Sequence, residues 1–77
     1  MDYNIEDTDK ILGFASWSDK QKIDELLRID CSLYAGLGMD STKADKELVK
    51  RGSRKIYKAI KEIDNRLGKV LLEAMDL

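Results

Sequence analysis

The chain has 77 residues, 38% of them charged, with 15 acids against 14 bases, no histidine, no proline and a single cysteine. Such a length gives one domain whose own core leaves about 3–5 kcal/mol of net stability. Lone Cys31 excludes an internal disulfide, and the lack of histidine removes the commonest metal ligand and the usual general base. Self-association is then the natural reinforcement for a small core.

No stretch approaches the roughly 18 apolar residues of a membrane span. The opening Met-Asp-Tyr-Asn-Ile-Glu-Asp lacks the basic and apolar regions of a signal peptide. The expectation is a protein of the cytoplasm with no membrane partner. Apolar residues nowhere alternate with period two, so the predicted fold is all-α: a short N-terminal helix followed by an αα-hairpin or helix-turn-helix over residues 19–37 and 42–76.

Residues 1–8 read as a disordered acidic tail. A short helix follows over about 9–15, capped by Thr8 and offering Ile11, Leu12 and Phe14 to a core; Gly13 weakens it. Ser18 then opens the second helix. Gln21, three residues on, completes a capping box, Trp17 staples the entry, and Asp19 suits the helix dipole. Ile23, Leu26, Leu27, Leu33, Tyr34 and Leu37 trace one apolar face. Gly38 is the natural left-handed stop.

Asp30 falls within that apolar face. A buried carboxylate needs a partner or a proton. The sequence offers three structural roles: an ion pair, a hydrogen bond to a tyrosine such as Tyr57, or a polar contact that sets register between subunits. A catalytic role finds no second group at a recognisable spacing. Cys31, at the edge of the same face, reads as a small buried hydrophobe.

The third helix has Asp40, Ser41 and Thr42 as candidate caps, and Asp45 completes a box with Thr42. A phosphate cradle over Gly36–Lys43 is the alternative, but a C-cap followed by an N-cap accounts for every residue there, and the order of a Walker loop is absent. Val49, Ile56, Ile63, Val70 and Leu77 recur every seven residues, with Ile60, Leu67 and Ala74 between them. That seam keeps its period past Gly52 and Gly68. The sequence therefore predicts one long helix, with a kink at Gly52 or a break at Gly68 as the alternatives. Asp64 flanks the seam, either paired with a base or solvated.

Charge is unevenly spread. Residues 1–30 hold eight acids and four bases, whereas residues 43–61 hold eight bases and two acids. Lys43, Lys50, Arg51, Arg54, Lys58 and Lys61 lie opposite the seam, with Lys46 and Lys55 towards its edges. A basic helix behind a turn has the order of a helix-turn-helix reader, in which Ser41, Thr42, Lys43 and Lys46 address base edges. A row of Lys and Arg is also how a long exposed helix is ordinarily solvated.

Two partners are expected from these features. A nucleic acid would meet Lys43, Lys46, Lys50, Arg51, Arg54, Lys55, Lys58 and Lys61. A second copy or another protein would cover Ile60, Ile63, Leu67, Val70, Leu71, Ala74 and Leu77, because the second helix is too short to cover the seam. No cofactor, metal, small-molecule substrate or catalytic residue is expected, and the chain reads as a non-enzymatic binding protein.

Overall fold

A computed structural model describes residues 3–75 of the chain. Among them there is helix and no strand. A single 3-10 turn, Ile5–Asp7, leads into α1, Thr8–Leu12. Then come α2, Asp19–Ala35, α3, Lys43–Ile63, and α4, Asn65–Met75. No helix is long and apolar enough to cross a membrane.

The helix starts follow their capping chemistry. Ser18 Oγ accepts from the Gln21 N–H while Gln21 Oε1 accepts from the Ser18 N–H. Thr42 and Asp45 make the same reciprocal pair at the head of α3. Each box satisfies two N–H groups that the helix itself leaves unpaired.

Residues 4–8 form a capped turn in the stretch that the sequence suggested as a tail. Asn4 and Asp7 form a third capping box. Thr8 is buried inside the turn, and its hydroxyl donates to the Ile5 carbonyl at 2.6 Å. α1 accordingly starts one residue before the predicted helix and stops at Leu12, and Phe14 reaches the core from outside it. Arg28 of α2 donates to the Tyr3 carbonyl and Lys22 to that of Leu12, which ties the N-terminal segment along α2. Tyr3, Phe14 and Trp17 pack ring against ring, with centroids 5.0–5.7 Å apart.

Ile11, Leu26, Ile29, Ile56, Ala59 and Ile60 form the buried core. Ile29 lies outside the apolar face read from α2, while Tyr34 on that face is half in solvent. The real buried face is rotated towards Ile29 because α2 is covered on one side by α3 and on the other by the N-terminal segment. α2 ends at Ala35, before the predicted stop. Gly36, in ordinary right-handed geometry, caps it, and no described glycine has a positive φ. Cys31 is exposed rather than buried.

The predicted long helix is two helices. α3 runs through Gly52 without interruption and ends at Asp64, whose backbone turns extended (φ −135°, ψ 98°). Asp64 Oδ1 then accepts from the Leu67 N–H, so this one residue closes α3 and caps α4. The turn brings Gly68 onto the backbone of α3. A Cβ at Gly68 would stand 2.3–2.5 Å from the Cα, Cβ and N of Lys61. Gly68 is thus a close-approach position inside α4, not the end of a helix.

Gly68→Ala should therefore destabilise the fold, although alanine is the better helix former by about 1 kcal/mol. Overpacking against backbone should outweigh that gain and leave a net loss of about 2 kcal/mol or more. Gly36→Ala, where a Cβ meets only ordinary contacts, should be neutral or stabilising by up to about 1 kcal/mol. Urea melts of the two variants should move in opposite directions.

Candidate nucleic-acid interface

The face that α3 shows to solvent is set by what it buries. Asp30, on α2, is almost fully buried and uses both carboxylate oxygens. Oδ1 accepts from the Ser53 hydroxyl, and Oδ2 from the Tyr57 hydroxyl at 2.7 Å. Ser53 and Tyr57 are four residues apart, hence neighbours on one side of α3. Beside them, Gly52 makes room for Leu33; a Cβ there would meet the Leu33 Cδ1 at 2.8 Å. These contacts, with Ile56 and Ile60 in the core, fix the rotation of α3 about its own axis.

All eight predicted cations of α3 point outward, and each is exposed. Lys43, Lys50, Arg54 and Lys61 stand in one row, at spacings of seven, four and seven residues. The row is about 27 Å long at 1.5 Å per residue. Arg51, Lys55 and Lys58 lie on the flank facing α1, and Lys46 on the other. Arg51, Arg54, Lys55 and Lys58 also line an open groove of ≈ 340 Å³ between α3 and α1, whose remaining walls include Thr8, Asp9, Leu12 and Glu62. The α1 wall was not visible in the sequence, because nothing local connects residues 8–12 to residues 51–62.

The predicted readout residues are differently placed. Ser41 Oγ accepts from the Gly38 N–H and Thr42 Oγ1 from that of Asp45, so both hydroxyl oxygens are engaged locally. The connection between α2 and α3, residues 36–42, is longer than the three or four residues of a helix-turn-helix turn. Lys43 and Lys46 remain as exposed charges at the head of α3.

The predicted apolar interface is divided by the turn at Asp64. Ile60 is wholly inside the chain's own core. Ile63, Leu67 and Leu71 are half-buried and pack against it. Val70 and Ala74 are exposed. Leu77 lies outside the described residues.

Asp30 belongs to the structural readings offered for it, the tyrosine hydrogen bond among them. Among the described residues every buried polar side-chain atom has a partner, and no three acids or thiols gather as metal ligands. Burial, then the hydrogen bond to the Asp30 carboxylate and its charge, raise the Tyr57 phenol well above the ordinary tyrosine range. No family model matches the sequence, and comparison with curated proteins and with solved structures finds no similar chain.

Asp30→Ala should cost about 2–3 kcal/mol, because it strands the buried Ser53 hydroxyl as well as removing two hydrogen bonds. Tyr57 should also shape the response to alkali. A phenol whose folded pKa is raised adds stability that is present below the unfolded value of about 10 and is lost as pH rises through the folded one. Tyr57→Phe should lower stability near neutrality and flatten its fall above about pH 10, read as urea midpoints across an alkaline pH series.

Proposed function

We propose that this protein is a non-enzymatic binding module that lays the outer face of α3 along a polyanion, with nucleic acid as the chemistry that fits best. The observation that carries the reading is the grouping of Arg51, Arg54, Lys55 and Lys58 around one open groove, continuous with the row of Lys43, Lys50 and Lys61. A small phosphate would need two or three of these groups. A line of charge some 27 Å long, estimated from about 1.5 Å per residue, instead suits a partner whose charge is itself repeated along a line. Lysine and arginine side chains on a rigid helix neutralise backbone phosphates and release their counterions. With the Ser41 oxygen taken by the Gly38 N–H and that of Thr42 by its cap, the contacts are to phosphate rather than to base edges, so affinity should depend on salt far more than on sequence.

A second reading is an assembly module without nucleic-acid contact. It is favoured by the shape of the molecule, whose Cα atoms span 40 × 30 × 14 Å. A body two helices thick has little depth in which to bury apolar groups, and Tyr34, Met39, Leu48 and Val70 stand exposed.

Binding to duplex DNA, followed by fluorescence anisotropy, should weaken steeply with salt. Five neutralised phosphates give a slope of log K against log salt of about −4.5. Lys55→Ala and Lys58→Ala should each reduce that slope by about one and weaken binding to all sequences alike. A folded protein that shows no binding to DNA or RNA at low salt would exclude the reading.

A further inference from the structure

The molecule has more surface than its mass requires. Its accessible area is 5636 Å², whereas monomers of 8.8 kDa average about 4,800 Å². The radius of gyration, 12.7 Å, likewise exceeds the roughly 11.5 Å of a compact chain of this length. The excess area, roughly 850 Å², is what one partner contributes to a standard interface, about 800 Å².

The exposed apolar groups are not spread evenly. Among the described residues, Tyr34, Met39 and Leu48 lie at the end where α2 passes into α3, and Val70 lies elsewhere. At that end Leu33, Leu37, Leu48 and Val49 line an open groove of ≈ 380 Å³. The loop between α2 and α3 forms its rim, through Gly36, Leu37 and Ser41, and carries Met39, whose side chain is fully in solvent. An apolar knob thus stands beside a groove whose walls mix Leu33, Leu37, Leu48 and Val49 with Ser41 and Asp45, on one patch of one chain. A two-fold contact needs that arrangement, since residue i of each copy must meet residue j of the other. Methionine suits the knob, being unbranched and able to fill an irregular gap. Asp45 lines the groove, and Asp40, Lys43 and Lys46 are close to it in sequence, so the surroundings of the patch carry both signs of charge.

We propose that the occupant of this groove is a second copy of the chain. Met39 of each copy enters the Leu33–Leu37–Leu48–Val49 groove of the other, and the two copies are related by a two-fold axis at the α2–α3 turn. This deepens the assembly reading by naming its partner and its surface, and it does not depend on polyanion binding. The surface differs from the seam from Ile60 to Leu77 that the sequence suggested, of which Ile60, Ile63, Leu67 and Leu71 pack into the monomer's own core.

Light scattering on the full chain, without nucleic acid and over a concentration series, tests the proposal. The expected result is twice the chain mass at high concentration, falling towards the monomer on dilution. Met39→Glu and Leu48→Glu replace exposed side chains, so circular dichroism and melting of the dilute monomer should be unchanged. Each should raise the dimer dissociation constant by about tenfold or more, since a new carboxylate would be set against Leu33, Leu37 and Val49 and beside the like charge of Asp45. Val70→Glu, at the far apolar site, should leave it unaltered. A wild-type chain that stays monomeric at submillimolar concentration overturns the proposal. So does a dimer that survives both Met39→Glu and Leu48→Glu, or one that Val70→Glu alone dissolves.

Discussion

The buried carboxylate of Asp30 decides more of this structure than any apolar contact. Apolar packing alone tolerates a small roll of α3, because Val49, Ile56, Ile60 and Ile63 share one side of the helix and move together. A carboxylate removed from water is far less tolerant. It must find donors, and the hydroxyls of Ser53 and Tyr57 supply them from one side of α3. A roll that broke either bond would leave a buried charge short of a partner, so the polar network selects one rotation of the helix. With that rotation fixed, the cations of α3 have nowhere to point but outward.

The turn at Asp64 is the second constraint, and it redirects the apolar seam. A seven-residue repeat continued as one helix would carry Ile63, Leu67 and Val70 along a straight line away from α2, towards water. Bending at Asp64 returns Leu67 and Leu71 to the same core that holds Ile60. It requires a residue whose side chain can cap the new helix and a glycine that admits the backbone of the old one, and Asp64 and Gly68 are those two residues. The cost is a flat body with Val70 and Ala74 on its outside.

Much of the local structure was legible because it is local. The Ser18–Gln21 and Thr42–Asp45 boxes follow from residues three apart, and the outward basic face follows from the helical period of α3. The tyrosine partner of Asp30 was among the readings because Tyr57 follows Ile56 of the seam on the facing helix, whereas Ser53, the second donor, was not. What escaped depends on contacts distant in sequence. Periodicity does not distinguish a straight helix from two helices joined at one residue, so the seam concealed the turn at Asp64. Ile29 escaped because the N-terminal segment packs beside α2 and rotates its buried face. The capped turn of residues 4–8 escaped because their acidity suggested solvation, whereas Asn4 and Asp7 use their side chains to cap a turn and Ile5 reaches the core. Of the candidate groove, the α3 wall was readable and the α1 wall was not.

A chain with a net charge of −1 can still present a mainly positive face, because several of its acids are engaged elsewhere, although Asp9 and Glu62 stand on the groove itself. Asp7 and Asp45 belong to capping boxes, and Asp64 caps α4. Each sits at a helix N-terminus, against the positive end of the helix dipole, within the first turn where that dipole acts. Glu25 is paired with Arg28 on α2, and Asp30 is inside the protein. None of these can swing across to neutralise α3. Lys50, Arg51, Arg54, Lys55 and Lys58 instead stand along the middle of α3, where the dipole has little effect, with Lys43 at its head and Lys61 in its last turn. Summed over the molecule the charges nearly cancel, but at the outer face of α3 they do not, and it is the local field that a polyanion meets within a Debye length of about 8 Å. Pairing two copies through Met39 would set the heads of two such helices side by side, with Lys43 and Lys46 at the rim, and so lengthen the positive track without changing any residue in it.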